Sequence, residues 1–404
     1  MNDIYGEDAT LRRSKGPNTM NILIVTSYFG GRRSGNPDVV DLAVRLHQRG
    51  HTVVALADSY PGDVPYEEFH GVRIFRVKPL HYFSGIDYGI SFPLPDIIRI
   101  MKRFDIDVVH GIVEYAPSTI SGVFLSSILR KPFVLTLQGA GITFGISYVD
   151  LIVNGFDHTL ARVISSRTKT GILLSKNLVA RARKIGLSQG KIRIIPTSIP
   201  YVEEFDPQSV DASIARKELG VDNKVVVCFV GRLVRLKGLS FLLQAQKALQ
   251  KSVPNLHLLI VGYGPDKPLL ESMAKSFDLK ATFTGYVERN KIPSYLSAAD
   301  IFVNPSLTEG LPLTVMEAMA MERAVVATDV GGTSDLIRNG ENGFLIPSRD
   351  VGSLASAIRT LALDDKLRQR MGLAGRDTIM KDFSWSSITQ KVEKVYEEAL
   401  LSMH

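Results

Sequence analysis

The chain has 404 residues, 45% of them apolar, and carries 48 lysines and arginines against 41 aspartates and glutamates, a net charge of +7. That length supports two domains with sizeable cores, and the composition excludes disordered, collagen-like and disulfide-stapled classes, since a single cysteine cannot close an intramolecular bridge. No run approaches the roughly 18 consecutive apolar residues of a spanning helix.

Residues 1–19 mix charges and lack the apolar core of a signal segment, which predicts a loose extension. Residues 21–26 then read as a buried strand. A loop with Gly30, Gly31, Ser34 and Gly35 leads into a helix that starts near Pro37. Val39, Leu42, Ala43 and Leu46 recur at helical spacing, Gly50 stops the run, and residues 51–57 form the next strand. Further strands are predicted at 72–77, 108–110, 133–137, 170–174 and 192–195. Strands alternating with helices predict a parallel sheet covered on both faces.

Residues 158–202 contain no acidic residue but nine basic ones, including Arg162, Arg167, Lys176, Arg181, Lys191 and Arg193. A solvated face and contact with an anionic partner both fit such a stretch. Nearby residues 120–129, beside Arg130 and Lys131, offer a partly apolar helical surface. Peripheral contact with an anionic membrane therefore ranks above nucleic acid, for which no motif is present.

The pattern restarts at residues 224–230, followed by Gly231-Arg232-Leu233, Lys237-Gly238 and a helix over 239–249. Strands follow at 256–261, 282–284, 301–304 and 324–328. Pro196, Pro200 and Pro207 punctuate the link between the halves. Two doubly wound α/β domains are expected, at 20–200 and 201–380, with ligands at the carboxyl edges of facing sheets and so in a cleft. Ser384 can cap a last helix within 381–404, whose Trp385, Ile388, Val392, Val395 and Ala399 form one apolar stripe that must be buried. Cys228 falls in an apolar strand, which points to a buried thiol and a reducing, cytoplasmic setting.

The most informative segment is 307–327. Glu309 and Glu317 flank a helix start in which Gly310 permits an unusual backbone angle, Pro312 suits the first helical position, and 313–321 reads as a largely apolar helix. Free amides at such a start suit an anion, whereas the carboxylates suit hydroxyl groups better than phosphate. Arg232 offers forked donors and Lys237 a mobile point charge, a pair matched to a diphosphate. Gly262, in Gly262-Tyr263-Gly264-Pro265, marks a close approach to a ligand or an ordinary turn. The backbone at Tyr286 and Val287 could meet a base, and Gly331-Gly332 reads as a strand-to-helix turn at the same edge. In the first half, His110 and Glu114 read either as a local polar contact or as groups facing a sugar or an acceptor, and His110 also reads as a satisfied structural histidine. Gln138 can exchange hydrogen bonds with sugar hydroxyls but cannot shuttle a proton.

In chain order, S-K-N-L from Ser175, I-P-T-S from Ile195, G-R-L-V-R-L-K-G at 231–238, V-G-Y-G-P at 261–265, E-G-L-P-L-T-V-M-E at 309–317 and V-G-G at 330–332 resemble the retaining glycosyltransferases of family 4, over about residues 20–400. The resemblance implies the GT-B architecture: an acceptor-side Rossmann-like domain, a nucleotide-sugar-binding one facing it across a cleft, and a terminal helix crossing back to the first. It implies that Arg232 and Lys237 neutralise a donor diphosphate and that Glu317 holds the ribose. Glu309 would orient the donor sugar, with Gly310 and Leu311 lining the sugar and phosphate region. Two departures stand out. Ser34-Gly35 replaces a paired-glycine element common in relatives, which bears on any donor contact at Gly35. Gln138 stands where many relatives carry histidine, which keeps hydrogen bonding but removes a charged-imidazole role.

The reaction so implied moves a hexosyl group from a nucleotide diphosphate sugar to a hydroxyl acceptor with retention, without metal or organic cofactor. The acceptor class includes a lipid-linked saccharide, a polysaccharide precursor or a small alcohol. An epimerase or phosphorylase on the same plan, or a noncatalytic nucleotide-sugar sensor, is the alternative, and product analysis separates them. A nicotinamide dehydrogenase fits less well, because the opening loop lacks a clean G-x-G-x-x-G fingerprint.

Overall fold

The computed structural model describes residues 19–27, 29, 37–60, 62–83, 88–90, 94–113, 117–138, 155, 157, 159–199 and 202–403. Gly30, Gly31, Ser34, Gly35 and Glu114 lie outside the described residues, as does the expected extension except Thr19. The chain divides into two compact units, 1–200 with 385–404, and 201–384. Each is a Rossmann-like α/β unit.

The first unit holds β1 (Asn21–Val25), β2 (Thr52–Asp58), β3 (Tyr66–Phe69), β4 (Val72–Val77), β5 (His81–Phe83), β6 (Tyr88–Ile90), β7 (Val108–Ile112), β8 (Phe133–Leu137), β9 (Thr170–Leu173) and β10 (Ile192–Ile194). Eight of these form one sheet in the order β10-β9-β8-β7-β1-β2-β4-β3, and β5 pairs with β6 in a separate hairpin. Central strands such as β1 and β7 are buried along almost their whole length because both faces are covered. Pattern reading missed β3, which runs antiparallel at the edge. Its sequence, Y-E-E-F, alternates between half-buried and exposed, so it lacks the apolar run that marks a central strand. The short hairpin was missed as well.

The second unit holds β11 (Val225–Val230), β12 (Leu256–Val261), β13 (Ala281–Gly285), β14 (Ile301–Asn304), β15 (Ala324–Thr328) and β16 (Phe344–Ile346), in the order β13-β12-β11-β14-β15-β16. All its pairings are parallel. Strand order reverses between β1 and β7 in the first sheet and between β11 and β14 in the second. A crevice opens at such a point because successive crossovers leave on opposite faces. Cys228 is buried in β11, and burial pushes its thiol up, which suits packing rather than catalysis.

The terminal helix, Trp385–Leu401, belongs to the first unit and crosses back to it after the second. The expected stripe is buried, together with Thr389, Glu393 and Tyr396. Trp385 donates its ring Nε1–H to the Ile199 carbonyl at 2.8 Å, and the Arg45 guanidinium lies 5.4 Å from its ring centre. Glu393 accepts from Arg49 at 2.6 Å and from His51 Nε2 at 2.9 Å. The Met20 amide donates to His51 Nδ1, so the ring proton sits on Nε2, toward the carboxylate.

The basic stretch is less open than its sequence implies. Buried Asp157, just ahead of it, takes both forks of Arg181 at 2.7 and 2.8 Å and Lys184 at 3.1 Å, while Arg193 pairs with Glu398. Burial raises the Asp157 carboxyl, but these cations outweigh it and hold it below the ordinary aspartate value. The apolar surface expected at 120–129 is also largely interior. Val123 and Leu125 of the helix Pro117–Ile128 enter the core, and Ile128 alone is strongly exposed, at 71%.

Glu393 gives the terminal helix a measurable acid sensitivity. Burial raises its carboxyl, yet the hydrogen bonds from Arg49 and His51 win and depress it below the ordinary glutamate value. A depressed carboxyl adds stability above its unfolded-state pKa and loses it as pH falls through the folded-state value. Glu393→Ala is therefore expected to cost about 2 kcal/mol near neutrality and progressively less in acid. Urea midpoints of wild type and variant across that pH range check this.

Candidate active site

The loops leaving β11 and β14 flank the second unit's crevice. After β11 the chain turns at Gly231, exposes Arg232, forms one 3-10 turn at Arg235–Lys237 and enters the helix Leu239–Leu249. Gly238 has φ +64°, and a Cβ there would stand 2.0 Å from the Pro305 carbonyl, so only glycine lets the two loops lie together. The Leu307 amide then donates to the Leu236 carbonyl at 2.8 Å. This contact carries Lys237 Nζ to 2.7 Å from Glu309 Oε1.

Glu309 is held from its own strand as well. Ser306 Oγ lies 2.6 Å and Asn304 Nδ2 3.2 Å from the same Oε1. Both residues are buried, and sequence reasoning missed both. The signal was an N-P-S triplet closing an otherwise apolar strand. The guanidinium of Arg232 is exposed and makes no hydrogen bond or ion pair with described residues, so its forked donors remain available.

The helix following Glu309 is Leu313–Ala320, and Pro312 stands at its N-cap with ψ 99° rather than at the first helical position. An extended ψ is what a cap residue needs, so Pro312 sits one position earlier than its preference for a helix's first residue implies. Val315 is the first residue whose amide finds a carbonyl of this turn, that of Pro312 at 3.1 Å. Leu313 and Thr314 come too early to bond along the helix, leaving two amides for an anion. Gly310 and Leu311 precede them, and the Gly310 carbonyl accepts from Gly332 at 2.6 Å.

Glu317, at the start of the helix's second turn, has a side chain only 3% exposed and pairs with Arg289 Nη2 at 2.9 Å. Burial pushes its carboxyl above the ordinary glutamate value, and Arg289 offsets part of that. Sequence reasoning missed Arg289, which lies 28 residues away with no local pattern linking the two. Gly262 bonds to Gly285 through its amide at 3.1 Å, joining the loops after β12 and β13. Tyr263 and Tyr286, 55% and 70% exposed, meet edge to face with ring centres 5.6 Å apart. Val287 follows, half-buried.

Two first-unit candidates behave differently. His110 is fully buried in β7, with Nδ1 2.7 Å from the Tyr396 hydroxyl and Nε2 2.7 Å from Thr136 Oγ1. Burial lowers its pKa to about 3, so it is neutral, with both ring nitrogens engaged inside the first unit. Gln138 is half-buried at the end of β8, 3.4 Å from Asp38 Oδ2. It borders a small, largely apolar cavity of about 30 Å³ with Leu42, Pro196, Trp385 and Ile388.

The family model for Glycosyltransferase Family 4 matches residues 38–201, and the one for Glycosyl transferases group 1 matches 211–378. The chain is 32% identical over 304 residues to TuaC of Bacillus subtilis (strain 168), named as a putative teichuronic acid biosynthesis glycosyltransferase, covering 72% of each chain. The chain belongs to the GT-B glycosyltransferase superfamily. This glycosyltransferase is also 26% identical over 396 residues to an uncharacterized glycosyltransferase of Methanocaldococcus jannaschii, covering 95% of this chain and all of that one. Its fold matches that of Anabaena HepE, solved in complex with UDP, with TM-score 0.75 at 20% identity over 93% of this chain and 99% of that one.

A second close approach fixes the acidic loop of the glycosyltransferase. Gly331 has φ +59°, and a Cβ there would lie 1.9 Å from the Glu309 carbonyl, whereas one on Gly340, at φ +84°, would meet nothing within 4 Å. Gly331→Ala should therefore destabilise more than Gly340→Ala, whose cost of about 1 kcal/mol is backbone strain alone. Urea midpoints of the two variants, measured side by side, check the difference.

Proposed function

We propose that the protein is a retaining glycosyltransferase that moves a hexosyl group from a nucleotide diphosphate sugar to a hydroxyl acceptor. The observation carrying this reading is the meeting, where β11 and β14 adjoin, of two cations, a held carboxylate and a helix start with two free amides. Arg232 and Lys237 neutralise the diphosphate, assisted by the amides of Leu313 and Thr314, so no metal ion is invoked. Glu309 accepts from hydroxyls of the donor hexose. Glu317 presents a carboxylate oxygen that takes no hydrogen bond from a described residue, which suits a ribose hydroxyl. The base lies along the Tyr286 and Val287 backbone. In the reaction the bond from C1 to the diphosphate oxygen breaks while the acceptor oxygen bonds to C1 on the same face. The acceptor proton passes to the departing phosphate oxygen.

Arg232→Ala and Lys237→Ala are each expected to lower kcat about 100-fold at saturating donor, since both act on charge that grows as the bond breaks. Nucleotide diphosphate release over a panel of guanosine, uridine and adenosine diphosphate hexoses, with glycan and lipid fractions as acceptors, measures it. Product masses and anomeric configuration decide between transfer, epimerisation and phosphorolysis. Unchanged turnover in both variants removes the assignment.

We further propose a cytoplasmic acceptor carried at an anionic membrane surface, such as a lipid-linked saccharide. In support, the helices Pro117–Ile128 and Leu160–Arg167 pack together and expose Ile128 and Val163 beside Arg130, Lys131 and Arg162. Cosedimentation at low salt should show binding to phosphatidylglycerol vesicles, none to phosphatidylcholine, and release as salt rises. No binding to either removes the membrane from the proposal.

A further inference from the structure

Three donors converge on a single oxygen of Glu309. Lys237 Nζ at 2.7 Å, Ser306 Oγ at 2.6 Å and Asn304 Nδ2 at 3.2 Å all approach Oε1, and no described residue donates to Oε2. Ser306 is fully buried and Asn304 is 2% exposed, so water does not readily replace either contact. Ser306 is itself fixed, because Thr328 Oγ1 donates to its carbonyl at 2.6 Å. Its hydroxyl has one proton and two acceptors in reach, Glu309 Oε1 and, at 2.8 Å, Asn304 Oδ1. The nearer, charged acceptor binds it more strongly.

We infer that Ser306 and Asn304 are positioning residues that clamp Oε1 of Glu309 and so aim Oε2 at one hydroxyl of the donor hexose, making that hydroxyl a requirement for transfer. This rests on the reading of Glu309 as the donor-sugar contact. An ionised carboxylate oxygen can only accept a hydrogen bond, so its ligand must donate. A free hexose hydroxyl does so, whereas a deoxy or O-methyl sugar at that carbon cannot. Swinging the carboxylate away from this clamp would break three hydrogen bonds at once, one from an ammonium. Lys237 keeps two further N–H groups, so it can hold Glu309 and face a phosphate together. A merely structural Ser306 would instead tie the loop after β14 to β15 and have no bearing on which sugar is used.

The test is steady-state kinetics of the full chain with the nucleotide diphosphate hexose giving the fastest turnover, and with its 2-, 3-, 4- and 6-deoxy analogues. Wild type, Ser306→Ala, Ser306→Thr and Glu309→Gln are compared, with thermal midpoints alongside. In wild type one deoxy analogue should lose about 100-fold or more in kcat/KM. Ser306→Ala should lower kcat about 10-fold with the donor KM changed by less than about threefold, and shrink that deoxy penalty about 10-fold. Ser306→Thr, which keeps the hydroxyl, should recover most of both. If Ser306→Ala does not fold, Asn304→Ser is judged by the same two readouts. A full deoxy penalty with near-normal kcat in the variant overturns the positioning role, as does a loss that only tracks the folded fraction. When Glu309→Gln is impaired and Ser306→Ala is not, the inference alone falls. Normal turnover of Glu309→Gln with every donor removes both the inference and the donor-sugar role of Glu309.

Discussion

The reversal of strand order between β11 and β14 is the constraint on which the chemistry of the second unit depends. The two strands are neighbours, yet at such a reversal the following crossovers leave toward opposite faces, which favours a crevice at the carboxyl ends of the strands. Lys237 comes from one loop and Glu309 from the other, and their 2.7 Å contact spans the gap. Gly238 against the Pro305 carbonyl and Gly331 against the Glu309 carbonyl press the surrounding backbone so close that a side chain at either position would part them. The charges are therefore held by packed backbone as well as by their own attraction.

Two carboxylates lose most of their water in this arrangement, and each is compensated differently. Glu309 gathers an ammonium, a hydroxyl and an amide on one oxygen, and no described residue donates to the other. Glu317 lies deeper, where burial disfavours its charge more than Arg289 favours it. Under the proposed donor contacts, a ligand hydroxyl reaching the oxygen to which no described residue donates supplies a hydrogen bond in place of lost water. That turns an unfavourable burial into binding selectivity, because an analogue without the hydroxyl leaves the cost in place.

In the first unit a comparable logic serves architecture. Glu393 and Tyr396 on the terminal helix reach His51 and His110 on the sheet side, so a helix made last in the chain completes an interior begun by the first strands. His110 is enclosed so fully that it remains neutral, and its two hydrogen bonds join β7, β8 and the terminal helix. Trp385 adds a bond to Ile199 at the chain's exit from this unit.

Strand runs, the apolar stripe of the last helix and the motifs carrying Arg232, Lys237, Glu309 and Glu317 were legible in the sequence because each depends on spacing within a few residues. Apolar continuity marks a strand covered on both faces, and glycine beside a charge marks a loop that approaches a ligand or another loop. The partners of those charges were not legible. Arg289 reaches Glu317 across 28 residues, and His110 reaches Tyr396 across 286, which ties His110 into the core as a neutral residue. The basic stretch likewise lost part of its open charge to Asp157 and Glu398. Sequence alone determined which elements form and which chemical groups stand at their ends. Tertiary structure decided which groups meet, because strand order and helix return bring together side chains whose separation along the chain carries no local pattern.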